Sequence, residues 1–247
     1  MPNFLQTVKE RVVIYDGAMG TNIQKRNPTL DDYWGKENCS EVLVLSRPDI
    51  IRDIHADFFR AGCDIVETNT FGGTSLVLGE FDLRDKVREI NIKAAQLARE
   101  VAQQFSAKDK PRFVAGSMGP TTKAITVTGG VTFEGLLDSY YLQAKGLIEG
   151  GSDLLLVETC QDTRNIKAAI LAIHKLSKEI GMAVPFLVSV TIEPMGTMLA
   201  GQTVEAMWAS LRHAHPLAFG MNCATGPEFM TDHIRTLSTL TSEFVSC

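Results

Sequence analysis

Six short clusters in this chain join carboxylates, amides, hydroxyls or a thiol to glycine or proline, the mix expected of a binding or reactive loop. They are Asp16-Gly-Ala-Met-Gly-Thr21, Glu67-Thr-Asn-Thr-Phe71, Gly116-Ser-Met-Gly-Pro-Thr121, Glu158-Thr-Cys-Gln-Asp162, Glu193-Pro-Met-Gly196 and Asn222-Cys-Ala-Thr-Gly-Pro227. Asp16, Glu67 and Glu158 contribute three carboxylates. Such groups at a pocket mouth bind an ammonium group or transfer protons. They also cap helices and tie loops together, and the residues alone leave both readings open. Gly17, Gly20, Gly116 and Gly119 could present backbone N–H groups to a carboxylate or phosphate, or could simply be turn residues. Cys223 could be a nucleophile, a metal ligand or a packed thiol.

Other chemistries find less support. His55, His174, His213, His215 and His233 fall on predicted helices or at their ends, away from the six clusters, so a Ser or Cys triad lacks its base. His213-Ala-His215 has the look of a ligand pair but precedes a strand, and it is expected at the surface. The five cysteines (Cys39, Cys63, Cys160, Cys223, Cys247) are odd in number, scattered and without a C-x-x-C pair. Neither a disulfide framework nor a locally complete zinc motif is expected.

The elements that must carry these clusters alternate. Predicted strands cover Arg11–Tyr15, Asp64–Glu67, Arg112–Ala115, Leu154–Glu158, Phe186–Thr191 and Leu217–Met221, and Glu243–Cys247 resembles the start of a seventh. Their near-continuous apolar runs suit parallel strands covered on both faces. Amphipathic stripes at three- and four-residue spacing predict helices over Leu83–Phe105 and after Thr163. Ser46-Arg-Pro48-Asp49 predicts a capping box around a helix start, with Gly62 as its stop, and Gly150-Gly151 and Gly181 end two later helices. Ala61–Thr68 and Gly150–Thr159 echo each other: a glycine-capped helix end leads into a strand that finishes on Glu-Thr. Repeated βα units build a (β/α)₈ barrel or a doubly wound sheet. Asp16-Gly-Ala-Met-Gly20 is not a G-x-G-x-x-G dinucleotide loop, which favours the barrel. All six clusters then converge on the face formed by the C-terminal ends of the strands, where such barrels place their active sites.

Composition bounds the rest. The chain has 247 residues, 45% hydrophobic and 21% charged, a balance that excludes a disordered chain. Lys and Arg number 24 against 29 Asp and Glu, a net charge of −5 without a basic block, which gives nucleic-acid or anionic-membrane binding no support. There is no apolar run long enough for a membrane span and no signal-peptide core at the start, so a cytoplasmic location is expected. Only six to seven βα units can be counted, so the barrel is expected to be incomplete at its C-terminal end.

At the clusters the sequence resembles a known family. Val13–Gln24, Asp64–Phe71, Phe113–Thr121 and Gly220-Met-Asn-Cys-Ala224 together are similar to the homocysteine-binding domain of cobalamin-dependent methionine synthases. Betaine- and S-methylmethionine-dependent homocysteine methyltransferases share that domain more distantly. The resemblance runs over residues 1–247 as one homocysteine-binding domain. It implies a barrel in which three cysteines hold Zn²⁺ and homocysteine sulfur takes the fourth position, as a thiolate that accepts a methyl group from methylcobalamin. Cys223 matches the first zinc ligand, Asp16 and Glu158 match positions that hold the substrate amino group, and the backbone at Gly17 and Ser117 would hold its carboxylate. The other two ligands lie in a Gly-Gly-Cys-Cys segment that this sequence lacks, beyond residue 247, and Cys247 is expected at the start of a strand, at the opposite end of the barrel. The implied partners are L-homocysteine and the folate, cobalamin and activation modules of the full enzyme. Two alternatives stand beside this reading: a stand-alone homocysteine S-methyltransferase, and a fragment that binds homocysteine weakly, catalyses little and leaves unpaired strand edges.

Overall fold

The computed structural model describes residues 4–247. Six parallel strands pair in chain order: β1 (Ile65–Glu67), β2 (Phe113–Met118), β3 (Leu154–Cys160), β4 (Phe186–Val190), β5 (Ala218–Met221) and β6 (Phe244–Ser246). Helices return the chain between them: α1 (Pro48–Ala61) before β1, α2 (Val87–Phe105) before β2, α3 (Phe133–Glu149) before β3, α4 (Thr163–Ile180) before β4, α5 (Val204–Leu211) before β5 and α6 (Pro227–Leu240) before β6. This is the α/β order of a (β/α)₈ barrel, present as an open, curled part-barrel.

Because side chains alternate across a strand, every second residue faces the barrel interior. Ile65, Phe113, Ala115, Leu154, Leu156, Leu187 and Ala218 form one such inner cluster, packed with Val13 and Tyr15 and closed below by Phe4. One step further along the same strands come Glu67, Ser117, Glu158 and Ser189. The interior is thus apolar at its base and polar at the strands' C-terminal ends. On the outer face, Met118, Leu155, Val157, Val188, Val190 and Phe219 join the helix stripes of α3 and α4 in the largest core cluster.

Glycine stops work as the sequence suggests. Gly62 (φ 112°) and Gly181 (φ 67°) close α1 and α4 in the left-handed region. The start of α1 differs from expectation. Pro48 occupies the first turn, which makes Arg47, in a non-helical conformation (φ −135°, ψ 58°), the capping residue, without a side-chain cap. Ser46 is displaced outward, and its hydroxyl donates to the Asp32 carbonyl at 2.5 Å.

The first predicted strand, Arg11–Tyr15, is reduced to a parallel bridge between Tyr15 and Ile65. It pairs on one side only, and Val12 (83% exposed) and Ile14 (59%) have no layer over them. The opposite edge is β6, held by β5 alone. A cleft of about 670 Å³ lies between these edges, lined by Phe4, Arg11, Tyr15, Asp16, Ala218 and Val245 among others. Cys247 is not at the opposite end of the barrel. Ser246 pairs with Gly220, so Cys247 follows β6 level with Met221, at the end of β5.

Gly220 shows how tightly β6 is held. A Cβ there would overlap Ser246 Oγ and lie 2.7 Å from the Ser246 carbonyl oxygen. Gly220→Ala is therefore expected to push β6 away and to destabilise the protein by about 1–3 kcal/mol, read as a lower midpoint in thermal unfolding. An unchanged midpoint would mean that β6 contributes nothing to the folded sheet.

Candidate active site

The polar layer at the strand ends is built around three carboxyls. Asp16 follows the Tyr15 bridge; its amide donates to the Ile65 carbonyl (3.0 Å), and its Oδ2 accepts from the Glu67 amide (3.0 Å). Its other oxygen, Oδ1, is buried without a hydrogen-bond partner. Glu67 ends β1. Glu158 lies in β3 at an irregularity between Val157 and Cys160, where Thr159 takes φ 56°. Bulges of this kind re-aim side chains at barrel rims. Glu158 Oε1 accepts from the Ser117 hydroxyl, and Oε2 accepts from the Thr159 hydroxyl at 3.3 Å.

The electrostatics follow from burial without a counter-charge. Burial raises the Asp16 carboxyl to about 8, the Glu67 amide hydrogen bond opposing and the Glu158 charge adding. Glu67 is raised well above the ordinary carboxylate range by burial and then by the charges of Glu158 and Asp16. Glu158 is raised by burial too, but hydrogen bonds from Ser117, Thr159 and Glu67 oppose the rise. Glu67 is therefore the proton holder of the pair and donates to Glu158. No lysine or arginine among the described residues offsets any of the three. The phenol of Tyr15, buried and unpartnered, lies against the same cluster and is raised by burial and by all three carboxylates.

Ser117 is buried at the end of β2, and its groups are engaged within the chain. Its amide donates to Thr68 Oγ1 (3.0 Å), its carbonyl accepts from Thr70 Oγ1 (2.7 Å) and its hydroxyl meets Glu158. Gly17 is exposed in the turn after Asp16, its α-carbon facing the Phe58 ring. Two other glycines prove to be packing residues. Gly116 lies inside β2, where a Cβ would meet Leu155 and Leu147, and the Gly119 amide already donates to the Phe71 carbonyl (3.1 Å). Asp162 caps α4 through the Arg164 amide (2.8 Å), and Glu193 closes a turn with Thr197.

Cys223 is exposed beyond β5. It and Ala224 both adopt left-handed conformations (φ 59° and 56°). Asn222 holds this turn: it donates to Cys223 Sγ at 3.3 Å and contacts Thr159 and Ser189. Among the described residues, no group of three His, Cys, Asp or Glu side chains converges in a way that could hold a metal ion. The residues present thus do not make a zinc centre, and Cys223 stands as a single thiol. The histidines keep their distance, with one nuance. His55 is fully buried in α1, His213 and His215 are exposed, and His215 faces Glu243 at 3.5 Å. His233 of α6 lies near Gly196, in the loop after β4.

Reading by residue type singled out Asp16 and Glu158 but passed over Glu67 as a site residue and gave no role to Thr159, Ser189 or Asn222. The signal available was alternation, since Glu67, Ser117, Glu158 and Ser189 all continue inward-facing rows.

Comparisons with known proteins agree with this geometry. The family model described as homocysteine S-methyltransferase matches residues 13–247. Methionine synthases of Mycobacterium leprae and Mycobacterium tuberculosis are 43% and 42% identical over 236 residues, 96% of this chain and 20% of theirs. The chain therefore spans about a fifth of the length of these curated relatives. In fold, it is similar to the homocysteine methyltransferase MmuM of Escherichia coli. The metallated form of that enzyme superposes with a TM-score of 0.80 at 22% identity, covering 97% of this chain and 84% of MmuM. The apo form gives 0.76 at 21% identity, covering 99% and 84%. No helix among the described residues is long and apolar enough to cross a membrane.

Proposed function

The chain belongs to the homocysteine S-methyltransferase family, and from that premise we propose that it is the homocysteine-binding part of a methionine synthase. In this reading it presents L-homocysteine as the acceptor of a methyl group carried by cobalamin and derived from methyltetrahydrofolate on other parts of a longer protein. The supporting likeness is to methionine synthases along nearly the whole chain. The observation that carries the substrate assignment is the buried, unpartnered Oδ1 of Asp16 beside the Glu67–Glu158 pair. Three buried carboxyls without a cation are incomplete electrostatically, and an α-ammonium group supplies the missing charge.

The chain's own residues then divide the work. Glu158, fixed by the Ser117 and Thr159 hydroxyls, and Asp16 receive the ammonium group. Gly17 offers backbone to the substrate carboxylate. Held at that end, the substrate directs its sulfur toward Cys223, which would serve as one thiolate ligand of a metal centre completed by residues outside this chain. Donor choice is testable directly in the native full-length protein. L-Homocysteine with methylcobalamin should yield methionine, detected by mass spectrometry. Methionine from S-methylmethionine or betaine, and none from methylcobalamin, would overturn the cobalamin assignment.

The carboxyl chemistry sets a pH dependence. Asp16 must ionise to pair with an ammonium group, and in the empty site it holds its proton to about pH 8. Homocysteine binding therefore releases this proton, and affinity rises with pH by up to about tenfold per unit below about pH 8. Titration calorimetry at several pH values, in buffers of different ionisation enthalpy, reads both effects. The stability effect has the opposite sign. The folded state binds this proton more tightly than the unfolded state, so the group's contribution is complete below the ordinary value of 3.8 and is lost as pH rises toward about 8. Asp16→Asn should thus raise the unfolding midpoint at pH 8 while weakening homocysteine binding. A variant that loses stability there would contradict the burial argument.

A further inference from the structure

The Asn222 side chain makes four hydrogen bonds at the rim of the site. Its Oδ1 accepts from the Thr159 amide (3.2 Å) and from the Ser189 hydroxyl (2.6 Å). Its Nδ2 donates to Thr159 Oγ1 (2.8 Å) and to Cys223 Sγ (3.3 Å). The orientation of the amide is not arbitrary: a backbone N–H can only donate, so the atom facing the Thr159 amide must be the oxygen. The nitrogen is then committed to Thr159 Oγ1 and the sulfur. With its lone pair occupied by Asn222, the Thr159 hydroxyl turns its proton to Glu158 Oε2 at 3.3 Å. One planar side chain therefore joins the ends of β3, β4 and β5.

The backbone it joins is held in uncommon conformations. Thr159, Cys223 and Ala224 all have positive φ, at 56°, 59° and 56°. For a β-branched residue such as Thr159 this is a genuine outlier and persists only where the surroundings fix it. The four hydrogen bonds of Asn222 are that fixation. Glu158 in β3 and Cys223 beyond β5 are linked through this amide, which hydrogen-bonds both Thr159, the residue after Glu158, and the Cys223 sulfur. An aspartate would lose both donors, and an apolar residue would leave the Thr159 amide without a partner.

We propose that Asn222 is a positioning residue: acting through Thr159, it aims the Glu158 carboxylate at the substrate ammonium group and sets it against the Cys223 thiol. The inference rests on the homocysteine reading and goes beyond it by naming what holds the two recognition points in register.

A double-mutant cycle on L-homocysteine affinity, measured by calorimetry on the native full-length protein, tests it. Asn222→Ala should weaken binding about tenfold. In the Glu158→Gln background, the same change should cost less than about threefold, because the carboxylate it aims is already gone. A purely structural asparagine would cost the same factor in both backgrounds, and that result would overturn the proposal. Thermal unfolding of each variant is run alongside. If Asn222→Ala does not fold, Thr159→Val, close in shape and lacking only the relay hydroxyl, carries the cycle with the same expected outcomes. Failure of the unmodified, cooperatively folding protein to bind L-homocysteine would overturn the substrate reading and this inference together. Normal binding with multiplying losses would overturn the inference alone.

Discussion

Glu158→Gln should weaken L-homocysteine binding by roughly 10- to 100-fold, the range expected when a buried carboxylate that hydrogen-bonds a charged group is neutralised. The substitution is close to isosteric, and the amide oxygen can still accept from Ser117 or Thr159, the two hydroxyls that fix the wild-type carboxylate. The strand end should therefore survive while the ionic partner is lost. A matched ligand sharpens the result. 4-Mercaptobutyrate keeps the thiol and the carboxylate but has no amino group, so its affinity should change little. Equal losses for both ligands would mean that Glu158 supports the fold and does not read the ammonium group. Wild-type affinity for L-homocysteine would remove Glu158 from the site altogether.

Cys223→Ala carries the second large effect. In the native full-length protein, metal content by plasma emission spectrometry and methyl transfer to homocysteine should fall together, both to background. The side chain is exposed, in a turn already constrained by Asn222, so alanine creates no cavity and the unfolding midpoint of the apo protein should move little. Full metal content with lost activity would make Cys223 a substrate contact and not a ligand. Retention of both would exclude it from the chemistry. Cys160 is a fitting control position, because it is fully buried against the α4 stripe and burial pushes its thiol far above the ordinary range.

Much of this architecture was legible in the residues because its determinants are local. The apolar runs at Leu154–Glu158 and Phe186–Thr191, the stripe ending at Phe105, and the stops at Gly62 and Gly181 each depend on neighbours a few positions away. What escaped was long-range. Whether Arg11–Tyr15 forms a ladder depends on a strand beside it, and only one side has such a neighbour. The cap at α1 moved because Pro48 keeps the residue before it out of the helix, so Arg47 takes the capping position and Ser46 stands one residue further out. Cys247 stands at the height of Met221 because of register with β5, which no count along the chain reveals.

The candidate site divides in the same way. Asp16, Glu158 and Cys223 stand out by residue type at strand ends. Glu67 gains its meaning from its contact with Glu158 on another strand, and Thr159 from an irregularity between two strands. Asn222 looks like a spacer before a cysteine until its amide is seen to bridge three strand ends.

The central claim is that the carboxyl cluster exists to receive the amino group of homocysteine, and a crystal structure of the native protein with L-homocysteine tests it most directly. The account predicts the ammonium nitrogen within about 3 Å of a Glu158 oxygen and of Asp16 Oδ1, with the sulfur on the Cys223 side of the site. L-Homocysteine bound with its amino group away from both carboxylates, or a site still empty at saturating ligand, would contradict it.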